Sequence, residues 1–249
     1  MVQFRSLVLW GLPSINELPA FERWYKRFHG PEICRRFGPW LTRLVSYKVV
    51  PPPPEAEQIG YLSYRLTEGW WLDFPKPYGT LLFTPPPNLT KRIEWCCTPW
   101  QPTEDFFGGG KFYPEEKTVL RWIIFFKYPE GVPLEEGEKW YLNIHAKETM
   151  KQLNLIRFFS YRTIKLENLP GHWGSIEPSP WVRVSELWYE NYEGWRKSII
   201  ESPPDYTPLP GAKYNKYPFL KPGVDFVSAF ILEQPDDDWL GNLSPSWAI

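Results

Sequence analysis

The stretch that decides the fold is FERWYKRFHGPE at residues 21–32, because GEKWYLNIHAKE at residues 137–148 sets Trp, Tyr, His and Glu at the same relative places. The two stretches lie 116 residues apart and contain two of the chain's three histidines. Self-similarity at a fixed separation is the signature of a repeated structural unit.

Five further pairs of segments match in the same order along the chain. FRSLVLWGLP at residues 4–13 corresponds to LRWIIFFKYP at residues 120–129, and each reads as a short apolar strand that ends at a turn proline. The other pairs are RLVSYK (43–48) with RFFSYR (157–162), YRLTEGWW (64–71) with VRVSELWY (182–189), TPPPN (84–88) with SPPDY (202–206), and Gln101-Pro102 with Gln234-Pro235. We interpret the chain as a tandem duplication, with an N-terminal repeat at residues 1–116 and a C-terminal repeat at residues 117–249.

The pattern within each repeat predicts a ferredoxin-like unit. In the first repeat we expect a strand at 4–10, a helix from its cap at about Asn16 to Phe37, strands at about 43–50 and 59–67, a short helical or irregular segment, and a last strand near 93–98. In the second repeat, Asn191 is a candidate cap for the later helix. The order βαββαβ is the ferredoxin-like one. Two such units can bury their open sheet faces against each other. We therefore predict an α+β protein in which two ferredoxin-like repeats form a pseudo-dimeric α/β barrel.

Composition narrows the class of protein. Hydrophobic residues make up 43% of the chain and charged residues 23%, as in globular proteins, while 18% aromatic residues predict an interior or a cavity walled by rings. The formal net charge of −1 indicates no basic surface for nucleic acid or a membrane. No apolar run is long enough to span a bilayer, and we expect no signal peptide. We therefore expect a cytoplasmic protein without nucleic-acid or membrane partners, in which Cys34, Cys96 and Cys97 are reduced thiols.

The start of each repeat resembles a known family. A strand, then WYKRFHGPE, then a strand beginning Arg-x-x-Ser-Tyr is similar to the EthD-type branch of the dimeric α/β-barrel superfamily. The resemblance covers residues 4–50 and 120–165, and the second repeat departs from it with Ala146-Lys147 in place of Gly30-Pro31. The wider superfamily includes polyketide cyclases, muconolactone isomerases, decarboxylases, cofactor-free monooxygenases and some haem enzymes. The resemblance therefore implies the fold and leaves the reaction open.

The matched helices carry the candidate catalytic residues. Positions i, i+4 and i+7 share one stripe of a helix. Those positions hold Tyr25, His29 and Glu32 in the first repeat, and Tyr141, His145 and Glu148 in the second. A histidine can move protons near neutral pH, a carboxylate one turn away can fix its tautomer, and a tyrosine hydroxyl can donate to a developing oxyanion. The alternative is that both histidines are buried structural groups bonded to the backbone or to these carboxylates.

Other candidates lie on strands and on one loop. His172, on a glycine-flanked loop, has no counterpart in the first repeat and is either an added catalytic group or a surface histidine. The recurring strand residues are Arg43, Arg157, Arg65, Arg183, Tyr47 and Tyr161. Arginines at these places could bind a substrate carboxylate bidentately, with the tyrosines beside it. The alternative is that they form ion pairs at the solvent face.

These residue types favour a cofactor-independent lyase that moves protons on a phenolic, carboxylated aromatic compound by decarboxylation, dehydration, or ring opening or closure. Aromatic walls would supply stacking for such a small aromatic substrate. The alternatives are a cofactor-free or haem-dependent monooxygenase and a non-catalytic aromatic-binding protein. No cofactor is expected for the lyase. We expect no metal site, because His29-x-x-Glu32 lacks an evident third ligand. A homodimer of the pseudo-dimeric chain is left open.

Overall fold

The fold consists of two facing antiparallel sheets of five strands each, with helices on the outside. The computed structural model describes residues 3–51, 54–55, 64–73, 84, 92–108, 119–165 and 179–241. The predicted α+β class, with two ferredoxin-like units forming a pseudo-dimeric α/β barrel, is confirmed. The division of the chain at residue 116 lies outside the described residues and stays a prediction.

The first half contains a helix that is divided in three. Its elements are β1 (Phe4–Gly11), a 3-10 turn (Ile15–Glu17), α1 (Leu18–Trp24), a π-helical turn (Tyr25–His29), α2 (Gly30–Phe37), a second 3-10 turn (Gly38–Trp40), β2 (Leu41–Lys48), β3 (Tyr64–Trp71), β4 (Arg92–Thr98) and β5 (Glu104–Asp105). The predicted cap was wrong, since the Ser14 side chain accepts a hydrogen bond from the N–H of Asn16 at 3.2 Å. The strand predicted at 59–67 is found as β3, and residues 59–63 lie outside the described residues.

The second half repeats the order of the strands and of the divided helix. It contains β6 (Leu120–Phe126), α3 (Leu134–Trp140), a π-helical turn (Tyr141–His145), α4 (Ala146–Thr149), β7 (Leu155–Arg162), β8 (Arg183–Tyr189), α5 (Tyr192–Arg196), a further π-helical turn (Lys197–Glu201), β9 (Phe226–Leu232) and β10 (Asp237–Asp238). The predicted cap of α5 is confirmed, because the Asn191 side chain accepts from the N–H of Gly194 at 3.0 Å. Within the described ranges, no helix is long and apolar enough to cross a membrane.

The strand order is the same in the two sheets. The first sheet runs β10-β2-β3-β1-β4, and the second runs β5-β7-β8-β6-β9. Each also has a register shift near the start of its second strand, between Leu41 and Arg43 in β2 and between Leu155 and Arg157 in β7. Such irregularities bend a strand and increase its twist. The two halves therefore share their pairing and also its local defects.

Each half sends its last strand into the sheet of the other half. β5 is the last strand of the first half but pairs with β7, while β10 is the last strand of the second half but pairs with β2. The other edges are joined as well, since the N–H of Ile164 donates to the carbonyl of Cys97 at 2.7 Å and that of Val50 to the carbonyl of Phe230 at 2.8 Å. The barrel therefore closes, and each half completes the sheet of its counterpart.

The barrel interior is filled by apolar side chains from both sheets. Leu7 and Leu9 of β1 point into it, as do Ile123 and Phe125 of β6, and all four are fully buried. Successive side chains of a strand point to opposite faces of the sheet. The alternate residues of β1 and β6 therefore face the helices, and they form the layer in which the candidate histidines lie.

A square of four buried charges crosses the middle of the barrel interior. Arg5 of β1 lies 2.6 Å from Glu68 of β3 and 2.7 Å from Glu186 of β8, and Arg121 of β6 lies 3.2 Å and 2.9 Å from the same two carboxylates. None of the four residues is more than 6% exposed. Burial raises the pKa of Glu186, but the guanidinium groups of Arg5 and Arg121 outweigh it and hold that pKa at about 2. Glu186 is therefore ionised at neutral pH between the two guanidinium groups.

Candidate functional site

Each candidate histidine is the last residue of a π-helical turn. The N–H of Gly30 donates to the carbonyl of Tyr25 five residues earlier, and the N–H of Ala146 does the same to Tyr141. Such turns are frequent at functional sites, because the extra residue changes which side chains face the neighbouring element. The turns bring the tyrosine and the histidine of each half against the helix-covered face of its sheet.

The two tyrosines fasten their helices to the sheets. The hydroxyl of Tyr25 lies 2.5 Å from Oγ1 of Thr67 on β3. The hydroxyl of Tyr141 lies 2.7 Å from Oγ of Ser185 on β8 and donates to Ser160 on β7 at 3.1 Å. Burial raises the pKa of both tyrosines to about 12, so both are protonated at neutral pH. Their predicted donation to a substrate oxyanion stays a prediction.

Arg183 is held in an ion-paired network beside Tyr141. Its guanidinium lies over the tyrosine ring at 5.1 Å and donates to Glu138 of α3 at 2.7 Å and to Glu104 of the exchanged strand β5 at 2.6 Å. A further donor reaches Oγ of Ser160 at 3.0 Å. All three guanidinium nitrogens are thus engaged by the protein's own acceptors.

Arg65 repeats this arrangement in the first half. It lies 4.6 Å from the ring of Tyr25 and donates to Glu22 of α1 at 2.6 Å and to Asp237 of β10 at 2.9 Å. The two arginines therefore tie each helix to the strand received from the other half. Their predicted contact with a substrate carboxylate stays untested, and their donors already have carboxylate partners.

Glu32 and Glu148 each bind one threonine of a proline-rich connection. Glu32 accepts from the N–H and the hydroxyl of Thr84 at 3.0 and 2.6 Å, and Glu148 accepts from the same groups of Thr207 at 2.9 and 2.6 Å. Thr84 therefore corresponds to Thr207 in the structure. The sequence comparison had matched Thr84 with Ser202. That alignment was wrong here because the second connection is longer.

His145 lies among aromatic rings between helix and sheet. Its ring stacks on Trp140 at 4.6 Å and lies 5.4 Å from the ring of Tyr206 and 6.0 Å from that of Tyr217. Burial lowers the pKa of His145 to about 4, and the Glu148 carboxylate only partly opposes this shift. The imidazole is therefore neutral at pH 7, and its buried Nδ1 has no hydrogen-bond partner among the described residues.

A cavity of about 40 Å³ lies beside His145. Most of its lining is aromatic or aliphatic, and its polar lining includes Ser185, Thr149 and Trp122. The buried indole N–H of Trp122 finds no acceptor in the part of the chain that the structure describes. The described lining contains no lysine or arginine, so a buried carboxylate would lack a counter-charge there. The cavity therefore suits a neutral ligand with polar atoms for His145 and Trp122.

His29 lies in a more crowded aromatic cluster. The ring of Trp10 meets it edge-on at 5.1 Å, and Trp24 stacks on it at 4.8 Å. Burial lowers the pKa of His29 to about 4, partly opposed by Glu32. Trp10 occupies the place that the smaller Phe126 has in the second half, since the two residues lie at matching positions of β1 and β6.

A second tryptophan fills the layer of the first half. Trp239 follows β10, and its ring lies 5.8 Å from that of Tyr25. Gly30 makes room for it, because a Cβ at that position would lie 2.6 Å from the Trp239 ring. The residue in the same place after β5 is Phe106, whose ring lies 6.4 Å from that of Tyr141. The strand received from the other half therefore brings a larger ring to Tyr25 than to Tyr141.

Tyr47 and Tyr161 lie in the barrel interior, away from both histidines. The hydroxyl of Tyr47 accepts a hydrogen bond from Arg121 at 3.3 Å, and the ring of Tyr161 lies 5.2 Å from the guanidinium of Arg5. Burial raises the pKa of Tyr47 to about 12. The two tyrosines flank the charge square, and their role in binding substrate stays a prediction.

Two further predicted arginines, Arg43 and Arg157, lie against rings other than those around the histidines. Arg43 is exposed and lies 4.9 Å from the ring of Trp70, while Arg157 is half-buried and lies 5.5 Å from the ring of Phe159. His172 lies outside the described residues. The structure thus brings together the tyrosine, histidine and buried arginine of each half, while Arg43 and Arg157 contact other rings. The role predicted for His172 stays a prediction.

Sequence reasoning missed the charge square, although its signal was present. Arg5 and Arg121 hold the same place in the matched strands β1 and β6, and Glu68 and Glu186 hold the same place in β3 and β8. A charge retained at matching, otherwise apolar positions indicates a buried partner. Tyr217 was also missed, because it lies in a connection whose alignment was wrong.

The described residues offer little to a metal or a haem. Within the described ranges, no group of three or more histidine, cysteine, aspartate or glutamate side chains could hold a metal ion. Cys34, Cys96 and Cys97 are buried free thiols, as expected. A haem is many times larger than the cavity beside His145, whose walls are packed rings. The residues around this histidine therefore do not fit the haem of the alternative hypothesis.

Comparison with known proteins relates the chain to others through its fold. The family described as the chalcone isomerase N-terminal domain matches residues 1–77. No curated protein matches the sequence significantly. A solved structure of an anthrone oxidase-like protein is 9% identical, covers 93% of this chain and 91% of its own, and has a TM-score of 0.57. A mutant chlorite dismutase from Candidatus Nitrospira defluvii is 8% identical over 92% of this chain and 91% of its own, with a TM-score of 0.44. The chain has the fold of the dimeric α/β-barrel superfamily, while the EthD-type branch and the tandem duplication stay predictions.

Proposed function

We propose that the protein is an enzyme that moves protons on a neutral phenolic compound, with His145 as the general base. The observation that carries this proposal is the buried Nδ1 of His145, which has no partner among the described residues although the imidazole lines a cavity. A neutral imidazole with an open nitrogen can accept a proton from a substrate. The buried N–H of Trp122 can donate to a second substrate oxygen. A phenol that also carries a carbonyl group matches both.

The low pKa of His145 limits how such a base can work. A phenol has a pKa of about 10, so complete transfer of its proton to an imidazole of pKa about 4 is uphill by roughly 8 kcal/mol. The negative charge of the forming phenolate attracts the imidazolium and raises the pKa of His145. This attraction lowers the free-energy cost of the proton transfer. The proton is therefore shared in the transition state and returned within the same turnover, as isomerisation, dehydration and ring closure require.

The proposal keeps the phenolic substrate of the sequence-based hypothesis and replaces its carboxylate by a neutral group. The donors of Arg65 and Arg183 are engaged by carboxylates of the protein, and the described lining of the cavity offers no other cation. Burying an unpaired carboxylate is strongly unfavourable. Decarboxylation is therefore less favoured than dehydration and than ring opening or closure.

The family match supports a proton-moving reaction. Its description names an isomerase of chalcone, which is an aromatic ketone. The matched residues 1–77 contain His29 and not His145. The match thus favours the class of chemistry, and both histidines must be tested to assign the working half.

A second candidate is oxidation of the same phenol by dioxygen. It is supported by the structural similarity to the anthrone oxidase-like protein, whose name describes the oxidation of an aromatic compound. In this reaction the phenol deprotonated by His145 would be oxidised by dioxygen to a quinone, with one oxygen atom replacing two hydrogen atoms of the phenol and the other leaving as water. The first step is shared, so the atmosphere distinguishes the two candidates.

The test is incubation of the wild-type protein with a panel of phenols and hydroxyaryl ketones under nitrogen and under air, followed by chromatography and mass spectrometry. We expect conversion in both atmospheres to a product of unchanged mass or one that has lost water. A product that has gained oxygen, formed only under air, would instead establish the second candidate. Binding without conversion in either atmosphere would contradict both and leave a binding protein.

A further inference from the structure

One connection of the second half closes over the cavity beside His145. Between α5 with its π-helical turn and strand β9, residues 212–222 run from Gly211, with φ 77°, to Gly223, with φ 74°. Glycine adopts such left-handed conformations without steric cost and suits the ends of a moving segment. Tyr217, Pro218 and Leu220 of this segment line the cavity. We call residues 212–222 the lid.

The Tyr217 ring takes part in the stack around His145. Its centroid lies 4.1 Å from that of Tyr206, with the planes 24° apart, and 6.0 Å from that of His145, with the planes 25° apart. Tyr206 is held in turn by Gln152, which donates to its hydroxyl at 2.9 Å and accepts from the hydroxyl of Tyr189 at 2.6 Å. The lid thus places the phenol ring of Tyr217 beside the candidate base His145, stacked on a Tyr206 ring that Gln152 holds in position.

The cavity is too small to hold a ligand ring while Tyr217 lies in it. An engineered apolar cavity that binds benzene has a volume of about 150 Å³, whereas the cavity beside His145 measures about 40 Å³. A phenolic ligand cannot be added to the closed site. It fits if it replaces a ring of its own size, and Tyr217 is the ring on the segment bounded by two glycines.

The closed lid contains one strained residue. Phe219 has φ 65°, a conformation that costs a bulky residue free energy, and its side chain is only 5% exposed. Its ring lies 6.4 Å from that of Trp140 and 6.4 Å from that of Tyr217. A conformation in which Phe219 leaves the left-handed region would recover this free energy and offset part of the cost of exposing the Tyr217 ring.

We infer that the Tyr217 ring occupies the place of the substrate ring in the closed site, and that a single-ring phenol binds by displacing Tyr217 as the lid opens. The place of the Tyr217 ring is in the cavity to which the proposed function assigns the substrate, and the choice of a phenol as ligand rests on that function. Displacement itself is a binding equilibrium and does not depend on turnover. Tyr217 competes with the ligand, so removing its ring tightens binding.

The test is calorimetric titration with 4-methylphenol, which is the tyrosine side chain without its backbone. We expect Tyr217→Ala to bind it at least about tenfold more tightly than wild type, because the competing ring is absent. Tyr214→Ala, a change on the same lid but outside the cavity lining, is the matched control and should bind as wild type does. If Tyr217→Ala folds poorly by circular dichroism, Tyr217→Leu keeps an apolar anchor and should show a smaller gain.

Equal or weaker binding by the folded Tyr217 variants would overturn the inference, since it would make Tyr217 a wall of the site. The proposed function fails separately. Tighter binding by Tyr217→Ala without any conversion of phenols would leave the lid standing and remove the enzyme. Conversion that depends on His145, together with no gain in Tyr217→Ala, would leave the enzyme standing and remove the lid.

Discussion

The two helix–sheet layers of the molecule share a frame and differ in what fills it. Each has a π-helical turn, a tyrosine bonded to the sheet, a buried arginine beside it, and a carboxylate that binds a threonine. In the first half, Trp10 packs on His29 and Trp239 on Tyr25. In the second half, the smaller Phe126 and Phe106 stand at the matching places and both contact Tyr141. The same fold thus holds one histidine among large tryptophan rings and the other beside a small cavity.

The largest expected effect concerns what the halves share. Glu68→Gln and Glu186→Gln each remove one corner of the charge square and leave an arginine partly unpaired in the core. Each change should lower the free energy of unfolding by about 3–5 kcal/mol, because a broken buried ion pair keeps the desolvation cost and loses the attraction. Urea denaturation measures this, with the exposed Glu193→Gln as the control. Clearly unequal losses in the free energy of unfolding would show that the two halves do not contribute alike to the charge square.

The next effect is pH dependence, to which both layers should contribute alike. The pKa of each histidine is about 4 in the fold and 6.5 in an unperturbed chain, so the unfolded state binds more protons between these values. Their contribution to stability is complete above pH 6.5 and is lost as the pH falls towards 4, by up to about 3 kcal/mol per histidine. His29→Gln and His145→Gln should each reduce this loss when stability is measured from pH 7 to 4. An unchanged pH profile would contradict the burial of that histidine in neutral form.

The smallest effect tests the difference between the layers by exchanging their rings. Phe126→Trp brings the first-half residue into the second half and should fill the cavity, reducing phenol binding by about tenfold or more. Trp10→Phe makes the reverse change and should cost about 1–3 kcal/mol, since it opens space and removes the 3.1 Å hydrogen bond from the indole to Thr67. Titration with 4-methylphenol and urea denaturation measure the two effects. Unaltered binding by Phe126→Trp would separate the ligand site from this cavity.

The frame could be predicted from the sequence because it is encoded in residues that recur. The fold followed from six matched segments, and the candidate tyrosines, histidines and buried arginines were found in them. The strand exchange could not be predicted, since Gln101-Pro102 and Gln234-Pro235 reveal that two tails are alike and not which sheet each tail joins. The cap at Ser14 and the π-helical turns depend on local backbone geometry that periodicity does not resolve.

The candidate site was less predictable than the frame because it depends on differences between the halves. Trp10 and Phe126 stood opposite each other in the first pair of strands, but both read simply as apolar residues. Only the packed structure shows that this difference in ring size accompanies a cavity. Glu148 was expected beside the histidine as its partner, and its two hydrogen bonds from Thr207 become visible only once the second connection is traced.

Whether His145 and not His29 is the general base is tested by the rate of phenol conversion in His145→Ala and His29→Ala, measured side by side. Circular dichroism checks that both variants fold. We expect His145→Ala to lose about a hundredfold or more, the usual contribution of a general base, and His29→Ala to stay within about threefold of wild type. Loss of activity in His29→Ala with wild-type rates in His145→Ala would contradict the account and move the working site to the first half.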